Sequence, residues 1–152
     1  MPKKSAGLLV YHTEQEITKV LLVHPGGPFF VKKDIGSWSI PKGEFEDTED
    51  ALAAAKREFT EELGIAIEGI FHPLTPIKQK SGKMVYAWVI NAMPDISAFK
   101  SNTFTMQWPP NSGKLLEFPE IDKAEWFSID VAKEKMNTAQ ISFLEELALL
   151  II

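Results

Sequence analysis

Three carboxylates crowd the end of one short segment. In "GEFEDTEDALAAAKREFTEELGI", residues 43–65, Glu58, Glu61 and Glu62 follow directly on Arg57. Like charges three and four residues apart on a helix repel one another. Acids gathered in this way are the ligands that Mg²⁺ and Mn²⁺ prefer, and a divalent ion offsets their repulsion. Such a cation can activate a water and neutralise a diphosphate, so the chemistry to consider is attack on a phosphoric anhydride. The plain alternative is a solvated acidic face, the commonest setting for glutamate.

The helical turn of 100° per residue sorts the segment into faces. With Glu58 at zero, Glu62 lies at about +40° and Glu61 at about −60°. Ala51 and Ala54 fall on the same strip, at about +20° and −40°, and keep it low enough for a ligand to approach. Leu52, Ala55, Phe59 and Leu63 occupy about +60° to +140°, an apolar face for burial. Arg57 lies about 40° from Glu61 and tempers its charge.

The spacing resembles the Nudix box: Gly, five residues, Glu, seven residues, then Arg-Glu-apolar-x-Glu-Glu-x-Gly-apolar. Gly43, Glu49, Arg57, Glu58, Phe59, Glu61, Glu62, Gly64 and Ile65 match it at every position. "GSWSIPKG" is similar to the strand and loop that lead into the box. The resemblance implies an α/β/α sandwich with a mixed β-sheet between helices. It implies a hydrolase of a nucleoside diphosphate linked to another group, with Mg²⁺ or Mn²⁺ as cofactor. Glu58, Glu61 and Glu62 would be metal ligands, and Glu61 or Glu62 the general base. The backbone carbonyl at or just before Gly43, with that of Lys42 preferred, would add a ligand. Arg57 and Glu49 would pair to hold loop and helix in register, and Gly43 and Gly64 would allow tight backbone turns. The family's auxiliary acid would come from Glu117, Glu120 or Asp122, with Glu120 preferred for its place just before a strand.

Further residues attract attention by type. Lys42, next to the box, could meet a substrate phosphate. Lys78, Lys80 and Lys83 cluster and could steer an anion, although a solvated hairpin end explains them too. Trp108 is the expected base-stacking aromatic, whereas Trp88 and Trp126 sit in strand patterns and read as core. His24, Phe29 and Phe30 flank a glycine-rich loop that reads as packed or pocket-lining. Ser112, Gly113 and Lys114 lack the glycine of a phosphate loop and read as a turn.

The elements that must position these groups follow from pattern. Residues 5–11 and 19–25 read as paired strands, followed by a loop rich in glycine. A helix should start at an N-cap on Asp47 or Thr48 and run to Leu63, with Gly64 as its stop. "IKQK" and "MVYAWVI" flank the turn "SGK" as a second hairpin. Residues 93–122 read as one long irregular loop that could fold over the site. "AEWFSI" reads as a last strand, and a helix should run from about residue 130 into a packed "LALLII" end.

The totals frame this reading. The chain has 152 residues, 45% hydrophobic and 24% charged, fitting a single domain over 1–152. A net charge of −5 argues against a nucleic-acid binder but leaves a small nucleotide substrate open. With no cysteine there is no thiolate site, and the isomerases that share this fold depend on one. No apolar run suits a signal peptide or a bilayer span, so a cytoplasmic protein is expected, with oligomerisation left open. The leading function is a nucleoside triphosphate or dinucleoside polyphosphate pyrophosphohydrolase. The alternative is a non-catalytic nucleotide sensor, which a degenerate box would mark; this box is intact.

Overall fold

The computed structural model describes residues 3–151. Met1, Pro2 and Ile152, the last residue of the "LALLII" end, lie outside the described residues.

The first two strands, β1 (Lys4–Glu14) and β2 (Ile17–Pro25), form the expected antiparallel hairpin. Leu8, Leu9 and Val10 are buried in succession, as a strand covered on both faces requires. A short β3 (Lys42–Phe45) pairs antiparallel with the start of β1, bringing Gly43 opposite Ala6. After α1 (Ala51–Leu63), two short strands β4 (His72–Pro73) and β5 (Ile77–Lys78) lie against β6 (Met84–Asn91). β6 runs parallel to β1, which makes the sheet mixed. A last strand, β9 (Ile121–Ser128), closes the order β4-β6-β1-β2-β9.

Helices cover both faces. α1 sets Ala54, Ala55, Phe59 and Leu63 against Leu8, Val10, Leu21 and Val23. On the opposite face, α2 (Ile129–Lys135) and α3 (Ile141–Leu150) pack Ala132, Phe143, Leu144 and Leu147 against Leu9, Val20, Leu22 and Trp38. The α/β/α sandwich expected from the sequence is therefore present. No helix among the described residues is long and apolar enough to cross a membrane.

Several local expectations are corrected. α1 starts at Ala51, because Asp50 is the N-cap and its side chain accepts from the Ala53 amide. Asp47 instead pairs with Lys4 at 2.7 Å, and Glu49 with Arg57, so the preceding acids are spent outside the helix. Ala54 does not line an open strip: the sheet buries it completely. The long loop at 93–122 holds a separate hairpin of β7 (Thr103–Gln107) and β8 (Leu115–Pro119), with Phe104 opposite Phe118 and Met106 opposite Leu116. Alternation of those apolar residues is the period-2 signal of a strand, masked by the prolines around it.

The C-terminal helix is broken in two. Met136 is extended, and Asn137 caps a 3₁₀ turn at Thr138–Gln140 by accepting from the Ala139 amide. The Trp38 main chain bonds both Lys135 and Asn137 across this break. The bend lets α2 and α3 share one sheet face. Of the apolar end, Leu147 is buried, whereas Leu149 is 72% exposed.

Phe59 fills the space between α1 and the sheet with no exposed surface. Phe59→Ala should lower unfolding free energy by about 3–5 kcal/mol in urea denaturation. A loss below about 1 kcal/mol would mean that the α1 face does not carry the core.

Candidate functional site

The acidic strip of α1 faces inward, toward β3. Glu58 and Glu62 are each only 8% exposed, which is rare for glutamate and demands compensation. Gly43 explains how Glu58 fits. A Cβ built on Gly43 would sit 2.0 Å from the Glu58 Oε2, so only glycine lets the carboxylate lie against the β3 backbone. At the far end of α1, Gly64 adopts φ +69° and its amide bonds Thr60 O, the left-handed stop expected there.

Arg57 holds the strip together. Its Nε and Nη2 donate to the two oxygens of Glu49 at 2.8 and 2.9 Å, a bidentate pair. Its Nη1 donates to Glu58 at 2.8 Å and to Glu61 at 3.1 Å. Hydrogen bonding to Glu49 raises the guanidinium pKa further and lowers that of Glu49. The expected Glu49–Arg57 pairing is thus present, and the same cation spans two of the three clustered acids.

Glu62 takes a different partner. Its Oε1 accepts from the Lys42 amide at 3.1 Å, which brings the Lys42 main chain against the strip. Burial first, then the neighbouring Glu58, pushes the Glu62 carboxyl up to about 8. Burial also raises Glu58, and burial with Glu61 raises Glu120. The Lys42 amine is lowered by burial and by the nearby Lys83, while Glu62, Glu44 and Glu58 oppose that shift.

A cavity of about 190 Å³ joins three of these groups. Lys42, Glu62 and Glu120 line it together with Val23, Pro25 and Ile121. Glu120, the preferred auxiliary acid, is therefore brought to the strip. Glu117 is not: it is exposed on β8 opposite Thr105. Asp122 turns away to His24, 2.7 Å from its Nδ1. Trp108 lies outside this cavity, at the end of the β7–β8 hairpin, and its ring meets Phe29 edge-on at 5.3 Å. Ser112, Gly113 and Lys114 form part of the turn there, as read.

The lysine cluster divides. Lys83 lies 3.5 Å from Glu44 and acts on Lys42, whereas Lys78 and Lys80 border a separate depression beside Asn137 and Thr138. All three sit on the β5–β6 hairpin, as expected, but their side chains part. The link from Lys83 to Lys42 depends on strand order across the sheet, which no local pattern encodes.

The donor set fits a divalent cation. Glu58, Glu61, Glu62 and Glu120 supply only oxygen, and burial of mutually repelling carboxylates leaves a charge that Arg57 offsets on one side alone. Among the described residues, no three acid or histidine side chains converge as a ready cage. The reason lies in the hydrogen bonds above: Glu58 and Glu61 are turned onto Arg57, and Glu62 onto the Lys42 amide.

The NUDIX domain pattern matches this chain over residues 1–147. The chain belongs to the NUDIX domain family. Its fold is shared with solved NUDIX proteins. An Ap4A hydrolase of C. elegans, solved as a binary complex, superposes with a TM-score of 0.68 at 23% identity, covering 98% of this chain and 97% of that one. The NUDIX domain of Shewanella oneidensis NrtR, solved with ADP ribose, gives a TM-score of 0.70 at 14% identity, covering 100% and 90%. A curated RNA pyrophosphohydrolase of Dinoroseobacter shibae is 46% identical over 37 residues, which span 24% of this chain and 23% of that relative.

The contact between Gly43 and Glu58 is testable by itself. Gly43→Ala should cost about 1–3 kcal/mol in urea denaturation, as overpacking does. In a Glu58→Ala background the same change should cost much less. Additive losses would mean that the carboxylate is not what requires glycine at 43.

Proposed function

We propose that this NUDIX protein is a pyrophosphohydrolase of nucleotide substrates, dependent on Mg²⁺ or Mn²⁺. The supporting observation is Glu62, a buried acid of the α1 strip, meeting Lys42 and Glu120 at one cavity. Triphosphates or dinucleoside polyphosphates are the proposed substrates, a choice supported by analogy with the full-length fold match to an Ap4A hydrolase. The intact box weighs against a non-catalytic sensor.

In this reading Glu58, Glu61 and Glu62 hold the cation, with the Lys42 carbonyl and Glu120 as further oxygen donors. When bound, the cation neutralises the diphosphate and lowers the pKa of a water. Glu61 or Glu62 takes the proton from the attacking water. Arg57 keeps Glu58 and Glu61 oriented through the contacts it already makes and is itself held by Glu49. The Lys42 amine attracts the phosphates of the substrate. Trp108, with Phe29 beside it, offers an aromatic edge for the base.

Calorimetry with Mn²⁺ tests the strip directly. The native chain should bind, and Glu62→Gln should lose most of the affinity; equal affinity in both would remove the strip as the site. Because the cation binds only the folded chain, it should also raise the melting temperature.

Turnover tests the chemistry. Across a nucleotide panel with phosphate release as readout, Glu58→Gln and Glu61→Gln should each cost at least about a hundredfold in kcat. Arg57→Ala should cost less, since it acts through position. Trp108→Ala should mainly raise KM, by the equivalent of about 1–3 kcal/mol. Near-native turnover in Glu58→Gln or Glu61→Gln would overturn the role given to that residue.

A further inference from the structure

His24 lies outside the residues given a role above, yet its side chain is only 1% exposed and both ring nitrogens are engaged. Nε2 is 2.7 Å from Lys33 O. A carbonyl only accepts, so this nitrogen donates. Nδ1 is 2.7 Å from Asp122 Oδ1, and the ring stands edge-on to Trp38 at 5.1 Å. One ring therefore ties the loop after β2 to β9.

Asp122 is where β9 changes phase. His24 pairs with Lys123 and Pro25 with Ile121, so Asp122 is the extra residue of a β-bulge. Ala124 and Trp126 pack toward α1. Strict alternation would bring Asp122 to that apolar face and turn Ile121 away from it. Instead Ile121 joins the α1-side core, and Asp122 turns to His24. β9 ends at Ile121, and Glu120, the residue just before it, meets Glu62 and Lys42 at the cavity. Its main chain is fixed on both sides: Gly26 N donates to Glu120 O at 2.8 Å, and Glu120 N donates to Asn102 O at 2.8 Å.

The geometry points to His24 as a positioning residue: by holding Asp122 as the bulge residue it fixes the end of β9 from which Glu120 reaches the cavity, and through Lys33 it ties down the loop after β2. Leucine at 24 would fill the space but hold neither Lys33 O nor Asp122, so the bulge would lose its anchor. The inference takes its catalytic readout from the hydrolase reading above.

A double-mutant cycle separates this role from a general loss of stability. His24→Leu should lower kcat about tenfold while KM changes less than about twofold. In a Glu120→Gln background the same substitution should cost less than about twofold more. Equal fold losses in both backgrounds would overturn the inference, and so would a Glu120→Gln enzyme as active as the native one. Asp122→Asn can still pair with Nδ1 through its amide and should stay within about threefold of native, whereas Asp122→Ala should behave like His24→Leu. Equal damage from Asn and Ala would make Asp122 an acid acting on its own account and sink the relay.

A second readout needs no turnover. Amide hydrogen exchange followed by NMR should quicken at Gly26 and Glu120 by at least about tenfold in His24→Leu, with Phe59 unchanged. Uniform quickening across the chain would reduce His24 to a stability residue. Should the native chain turn over no nucleotide in the panel while the local exchange signature holds, the hydrolase reading fails and the positioning role stands.

Discussion

The buried acidic strip of α1 is the constraint that the surrounding structure answers. Glu58 and Glu62 face the sheet because the same helix must bury Phe59 and Leu63, and the two sets of side chains are adjacent on the wheel. Removing carboxylates from water is costly unless partners replace the lost hydration. Arg57, the Lys42 amide and the glycine at 43 are those partners. Each is local to the box or one strand away from it, which explains why the box spacing is tight: a guanidinium must reach Glu49 and two helix acids at once.

The same constraint links stability to proposed function. Arg57 reaches Glu58 and Glu61, Glu62 rests on a single amide, and Glu120 approaches from β9 with its main chain fixed. The arrangement thus keeps like charges close while leaving one side of the strip short of positive charge. In the proposed function a divalent cation would add to what Lys42 supplies on that side. Arg57 and a metal would then have complementary tasks, one holding the acids from the loop side and the other from the cavity.

The β7–β8 hairpin shows how composition can mislead. Pro109, Pro110 and Pro119 suggested an irregular loop, yet two of them sit in its turn and one ends β8. Phe104, Met106, Leu116 and Phe118 have strand periodicity that was visible in the sequence and outweighed by the prolines. The broken C-terminal helix has the opposite lesson. Its apolar period continues across Met136 and Asn137, but the Trp38 main chain competes for the helix groups and bends the chain.

The sequence by itself determined the chemistry-bearing segment, because its constraints are local. A helix, its glycine stop and an arginine that reaches acids one, four and eight residues away in the chain need no tertiary information. The apolar runs on both sides of a central strand likewise determined a sheet covered on two faces. Tertiary structure alone decided which distant groups join the strip. Glu120 enters and Glu117 does not, because Glu120 lies just before β9 at the cavity, whereas Glu117 sits on β8 of the separate hairpin. Lys83 reaches Lys42 because β6 lies parallel to β1, with β3 on β1 as well. His24 meets Asp122 across 98 residues of chain through the pairing of β2 with β9. Register and strand order are collective properties, fixed when all the apolar faces are buried together, so no short window of residues contains them.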